Sequence, residues 1–271
     1  MKYQFGFIGC GNMGGALIRA IAPKVGGNHV LIADRLTANT DALHDSCDVH
    51  VAGSATEVAA DAKYIFLGVK PQGMRDLLME LCPILKAKEE RSVLVSMAAG
   101  ITVASIQEMV GIPDVPVVRI LPNTPAAVGK GMTLYCHNAS VSEAEERDVI
   151  MALEAAGRVD LLDEALIDAG CAVSGCGPAF VYLFMEAMAD GAVAAGLPRQ
   201  KAMLYAAQTV LGAAEMLLQS GKHPGELKDA VCSPGGSTIQ GVNALEQGAF
   251  RATVMQAVAA AYEKTQALGK S

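Results

Sequence analysis

The segment Gly9-Cys10-Gly11-Asn12-Met13-Gly14 constrains this chain more than any other, because it directly follows the apolar run YQFGFI and opens a helical stretch over residues 12–21. A strand that turns into a helix over glycines at this spacing is the fingerprint of a dinucleotide site, and the strand-turn-helix context gives the spacing its weight. Gly9 permits the tight turn, Gly11 lets the main chain approach a pyrophosphate, and Gly14 lets helix and strand pack closely. Amide groups at the helix start meet the negative charge, so the phosphates need no lysine. The same glycines argue against reading the N-terminal MKYQFGFIGC, with Lys2 ahead of an apolar run, as a signal peptide.

Asp34-Arg35 follows the next β-rich run, where a ribose is usually read. An aspartate there binds the ribose diol of NAD, whereas an arginine pairs with the extra phosphate of NADP. The two residues leave the choice open, and a solvated charge pair at a strand end is a third reading.

Beyond the fingerprint, short apolar runs alternate with helical segments, the pattern of parallel strands joined by crossover helices. The strands are expected at residues 3–8, 30–33, 64–68, 93–96 and 117–121. Runs such as YIFLGV and SVLVSM are apolar throughout, as in strands covered on both faces. Ser54 with Glu57 and Ser142 with Glu145 match the capping box at helix starts, and in the second helix Val149, Ile150 and Leu153 form an inward face away from Glu145, Glu146 and Asp148. After residue 162 strand signals stop, and Ala-rich helical stretches follow, broken at Gly196-Leu197-Pro198, His223-Pro224-Gly225 and Ser233-Pro234-Gly235-Gly236. The fold class is α/β: a doubly wound Rossmann-type sheet over residues 1–162, then an all-α domain over 163–271. A chain of 271 residues buries roughly three quarters of its unfolded surface without a covalent staple.

Composition narrows the partners. A net charge of -7 supplies no basic stripe for a nucleic-acid backbone, so nucleic acid is not expected. Seven cysteines, without CxxC spacing, suit reduced thiols in the cytoplasm better than a disulfide framework. The mean hydropathy of +0.32 raises the question of a membrane, but the most apolar stretch, residues 179–197, contains Glu186 and Asp190 and reads as a buried helix. Trp is absent and Ala abundant, which suits closely packed helices at an oligomer interface. No His or carboxylate pattern suggests a metal.

Three more segments point to chemistry. Gly68-Val69-Lys70-Pro71 follows a buried strand at the edge where open α/β sheets bind ligands, and Ala98-Ala99-Gly100 ends the next strand with side chains small enough to lie beneath a flat ring. Asn123-Thr124-Pro125 offers an amide and a hydroxyl to a nicotinamide carboxamide, or is a plain turn. In Ser233-Pro234-Gly235-Gly236-Ser237-Thr238, the amides of Gly236, Ser237 and Thr238 would converge at a helix start and hold a carboxylate without a cationic side chain. An ordinary cap would account for Ser237 or Thr238 but leave the double glycine unmotivated.

Along essentially its whole length the chain resembles the pyrroline-5-carboxylate reductase family. The resemblance rests on F-I-G-x-G-N-M at residues 7–13, G-V-K-P at 68–71, A-A-G at 98–100, P-N-T-P at 122–125, S-G-C-G-P-A at 174–179, G-L-P at 196–198 and H-P-G-E-L-K-D-A-V-C-S-P-G-G-S-T at 223–238. It implies hydride transfer from NADPH, with NADH accepted as well, to the imine carbon of 1-pyrroline-5-carboxylate, giving L-proline. By this resemblance the cofactor contacts Ile8, Gly9, Cys10, Gly11, Asn12, Met13 and Gly14, then Asp34 and Arg35, then Ser54. Val69, Lys70 and Pro71, with Ala98, Ala99, Gly100 and Asn123, complete its site. Gly236, Ser237 and Thr238 hold the substrate, and the Thr238 hydroxyl hydrogen-bonds the ring nitrogen as the catalytic contact. The resemblance further implies a homodimer of intertwined helical domains, often assembled further into decamers. Cys176 and Ala230 depart from the family's usual serine and asparagine, and Asp34 from its usual neutral residue. A hydroxyacid-type dehydrogenase shares the fingerprint and a helical second domain, but would want a catalytic lysine or histidine there, for which nothing in the sequence supports Lys201 or Lys228. A non-catalytic nicotinamide-sensing protein would not need the Gly-Gly-Ser-Thr loop.

Overall fold

A computed structural model of the chain describes residues 1–268. It contains two compact units, one of Met1–Gly175 with the end of the last helix from Tyr262, the other Cys176–Ala261.

The first unit is built on an eight-stranded sheet of order β3-β2-β1-β4-β5-β6-β7-β8. Its first six strands are β1 (Tyr3–Ile8), β2 (Val30–Ala33), β3 (His50–Val51), β4 (Ala62–Leu67), β5 (Val93–Ser96) and β6 (Val117–Leu121), all parallel. Side chains alternate across each strand. Phe5, Phe7, Ile32, Phe66 and Val95 lie in one core, against Leu17, Ile18 and Ile21 of helix α1 (Asn12–Val25). Ile8, Leu31, Ile65 and Leu94 lie in the other. That second face packs α3 (Ala55–Asp61), α4 (Met74–Ala87) and α5 (Val103–Val110) through Val58, Leu78 and Ile106. Both faces are covered, which is why the strands read as continuous apolar runs. Helix α2 (Thr37–Cys47) adds Leu43 to the first core.

Three strands escape the sequence pattern. β3 is two residues long with both exposed. β7 (Gly131–His137) begins on glycine and runs antiparallel to β6, and β8 (Gly157–Leu161) is a largely exposed edge strand. Between them lies α6 (Glu143–Leu153), whose Ser142 and Glu145 form the expected capping box. Its acidic residues do not simply face solvent. Glu145 is buried and accepts from Ser142 and from Arg91 Nη2 at 2.7 Å, while Asp148 accepts from the Tyr64 hydroxyl. Burial pushes the Glu145 pKa up, but the bonds from Ser142 and Arg91 outweigh it and leave the carboxyl below its ordinary value. The other expected box forms only in part: Ser54 Oγ accepts from Glu57 N, but the Glu57 carboxylate takes Gly53 N instead of the cap residue's own amide.

Helix α7 (Ile167–Ser174) closes this unit. It is tied to the sheet by Arg119, 3% exposed in the middle of β6, whose guanidinium donates to Glu164 Oε1 at 3.1 Å and Asp168 Oδ1 at 3.4 Å. The signal was an arginine inside VVRIL.

The second unit is helical: α8 (Gly177–Ala194), α9 (Arg199–Ser220), α10 (Pro224–Ala230), α11 (Ser237–Gln247) and most of α12 (Phe250–Leu268). Its core is small, with Ala189 of α8 and Ala202 and Ala206 of α9 buried. The stretch Glu164–Ala194 is long and apolar enough to cross a membrane. A turn at Gly175 and Cys176 divides it between α7 and α8. The expectation of a buried helix over residues 179–197 is corrected: of α8 only Ala189 is fully buried, while Tyr182 and Leu183 are exposed. Apolar residues surround the helix, but this chain packs mainly α9 against it.

Candidate active site

Gly9 takes φ +97°, a conformation that an L side chain rarely adopts, and a Cβ on it would meet the Gly68 carbonyl at 2.7 Å. The turn this allows carries the chain from β1 into α1. A Cβ on Gly14 would overlap the Gly9 carbonyl oxygen, so helix and turn approach as the spacing requires. Gly68 closes the same knot from β4, its N–H donating to Ile8 O at 2.7 Å, a role that the sequence reading missed although G-V-K-P marked the position. A Cβ on Gly11 would meet nothing within 4 Å, and Gly11 caps α1 without any side-chain hydrogen bond. The first amides of α1 therefore face an open cradle of main chain, which fits a pyrophosphate. Cys10 is a buried filler of the turn; burial, then the Asp34 charge, push its thiol pKa up to about 12.

The two charges after β2 do not pair with each other among the described residues. Asp34 Oδ2 accepts from Cys10 N at 2.6 Å and Oδ1 from Leu36 N at 2.8 Å. Arg35 is exposed and has no ion pair within the described residues.

Because β1 to β6 are parallel, Gly9, Asp34, Ser54, Gly68 and Ala98 all follow strands at one carboxyl edge. Lys70 is exposed there and Val69 leans on the core. Ala98 is buried, Ala99 is exposed and Gly100 takes φ +76°. Asn123 shares the edge, but its amide is engaged elsewhere: Oδ1 accepts from Met132 N and Nδ2 donates to Ser174 O, each at 2.9 Å. It holds β7 and the end of α7, a role the turn reading of Asn-Thr-Pro left invisible.

Gly236, Ser237 and Thr238 stand in the helical unit, at the start of α11. Gly235 takes φ +68°, and a Cβ on Gly236 would overlap Ser233 Oγ. The positive φ accounts for Gly235, whereas at Gly236 the one atom closer than 3 Å to a Cβ is the rotatable Ser233 hydroxyl. Gly236 N donates to Ser233 O at 3.0 Å, so its amide is not available to a ligand. The N–H groups of Ser237 and Thr238 are the ones that remain, since no side chain caps the helix. Thr238 is exposed beside them. Of the lysines that a hydroxyacid chemistry would call on, Lys228 donates to Asp229 Oδ1 at 2.7 Å, and that hydrogen bond raises its pKa above the ordinary value.

A sheet whose first six strands are parallel, with this glycine knot, an uncapped helix start and, after the second strand, an arginine that forms no ion pair among the described residues, defines a nicotinamide-dinucleotide oxidoreductase. Residues 4–100 match the family model described as NADP oxidoreductase, coenzyme F420-dependent, and residues 164–268 match that for pyrroline-5-carboxylate reductase dimerisation. A pyrroline-5-carboxylate reductase of Escherichia coli (strain K12) is 41% identical over 273 residues, covering 100% of both chains. The solved pyrroline-5-carboxylate reductase of Coxiella burnetii has a TM-score of 0.91 at 32% identity, covering 100% of both chains. That of Plasmodium falciparum, solved with NADP bound, has a TM-score of 0.85 at 33% identity over 99% of both. This chain belongs to the pyrroline-5-carboxylate reductase family, and it carries that family's dimerisation domain.

Proposed function

We propose that the chain reduces 1-pyrroline-5-carboxylate to L-proline, the last step of proline synthesis, with NADPH and also with NADH. The observation that carries this reading is the 41% identity to the Escherichia coli enzyme over the whole of both chains. The dinucleotide, when bound, supplies hydride to the imine carbon. The cradle at Gly11, Asn12 and Met13 holds its pyrophosphate, Arg35 its adenosine phosphate, and the loops at Val69-Lys70-Pro71 and Ala98-Ala99-Gly100 line its nicotinamide end. The N–H groups of Ser237 and Thr238 grip the substrate carboxylate with main-chain donors and the positive end of α11. The Thr238 hydroxyl hydrogen-bonds the ring nitrogen. An imine takes its proton from water before it binds, so no strong acid need be provided, and fixed orientation does most of the work. We place the start of the dimerisation and substrate domain near Asp163, which the match to the dimerisation family model from residue 164 supports, while α7 belongs to the sheet unit and the compact helical unit begins at Cys176. A cytoplasmic homodimer, in turn assembled into decamers, is the proposed form.

Purified protein should consume NADPH and form L-proline when given 1-pyrroline-5-carboxylate, and stay inert towards hydroxyacids; the reverse preference would reject the imine assignment. Thr238→Ala should lower kcat about 10²-fold, with the dissociation constant for NADPH unchanged.

A further inference from the structure

We infer that Asp34 is a positioning residue of the cofactor site and not a ligand of the ribose: its carboxylate sets the glycine turn and presents Arg35, which alone selects between NADPH and NADH. The inference rests on the dinucleotide reading above and adds a division of labour within it.

An acidic residue at the end of the second strand would ordinarily be given the ribose diol. Here both oxygens are already engaged on the protein side. Oδ2 accepts from Cys10 N at 2.6 Å, a short charge-assisted bond, and Oδ1 accepts from Leu36 N at 2.8 Å. The first bond has a neighbour, because Gly9 N donates to Ala33 O at 2.8 Å. Two successive amides of the turn are thus fastened to two successive residues at the end of β2. Gly9 sits at φ +97°, and the pair of bonds holds the turn in that conformation. The Cys10 N–H consequently points at Asp34 and cannot serve a phosphate, which leaves the amides from Gly11 onward for that task.

The second bond acts on Arg35. An aspartate that accepts from the amide two residues on closes a small local turn, and the residue enclosed is thrown outward. Arg35 is that residue. It is exposed, and no carboxylate pairs with it among the described residues, Asp34 included. A neutral residue ahead of the arginine would lack the carboxylate that makes both bonds at once.

The test measures binding without substrate, by titrating NADPH and NADH against the native protein, Asp34→Ala, Asp34→Asn and Arg35→Ala, with thermal midpoints recorded alongside. Asp34→Ala should weaken NADH on the order of tenfold for a lost charge-assisted bond to the turn, and NADPH by at least as much, because Arg35 is then no longer held outward. Asp34→Asn, whose amide oxygen can still accept from Cys10 N, should recover part of both affinities. Arg35→Ala should weaken NADPH by about tenfold or more and leave NADH alone. Selective loss of NADH binding in Asp34→Ala would make Asp34 a ribose ligand and overturn the inference. So would unchanged affinities with only a lowered thermal midpoint, the mark of a purely structural residue. Failure of the native protein to bind either dinucleotide would instead overturn the cofactor reading on which this one stands.

Discussion

The two units of this chain bury their apolar residues to very different extents. In the dinucleotide unit Phe5, Phe7 and Phe66 are 0% exposed, between helices on both faces of the sheet. In the helical unit Leu183 is 69% exposed, Leu204 63% and Met255 73%. The first has a finished hydrophobic core. The second has three buried alanines and a broad apolar surface, far more than a lone soluble unit ordinarily shows. The sheet unit completes its core within one chain, whereas the exposed apolar surface lies where the dimerisation family model matches and calls for a second chain.

The largest expected effect breaks this contrast from the helical side. Leu183→Arg combined with Leu204→Arg should leave the sheet unit folded but abolish assembly, and reductase activity should fall to background. Sedimentation alongside the assay decides it, and a double variant that stays oligomeric and active would show that the exposed face is not the interface. Next comes a change inside the finished core. Phe66→Ala should cost about 3–5 kcal/mol of stability, as for other buried aromatics. Urea unfolding should find this loss independent of protein concentration, whereas stability of the helical unit should rise with concentration.

The smallest effect concerns pH. Glu145 has a folded pKa below its unfolded value, so the folded state binds fewer protons. Its contribution is complete above the unfolded value, about 4.3, and is lost as pH falls through the folded one. Glu145→Gln should therefore flatten the decline of the thermal midpoint below about pH 4 and lower the midpoint at neutral pH. An unchanged acid limb would remove Glu145 from the account.

The same contrast explains what could be read from the residues. β1, β2, β5 and β6 are legible to the residue because strands buried on both faces are mostly apolar, Gln4 in β1 and Arg119 in β6 being the interruptions. β7 and β8 were hidden: glycine opens each, and β8 has an exposed edge, so Arg158 and Asp160 interrupt its pattern. The glycine knot was legible from spacing, and Gly9, Gly11 and Gly14 take the places expected of them. Side-chain engagement was not. Asn123 and the Gly236 amide each looked available to a ligand, yet each is engaged by a main-chain partner brought near by the fold, and the Asp34 carboxylate also accepts from main-chain amides that the sequence does not reveal. The buried reading of residues 179–197 failed for a related reason. Sequence reports that a helix is apolar all round, but not whether its cover belongs to the same molecule.

The central claim is that a bare helix start in the helical unit holds an anionic ring by its main chain. A crystal structure of the assembled protein with NADP and L-proline tests it most directly. The proline carboxylate should lie on the N–H groups of Ser237 and Thr238, with the Thr238 hydroxyl on the ring nitrogen. A carboxylate held by a cationic side chain, away from the start of α11, would contradict it.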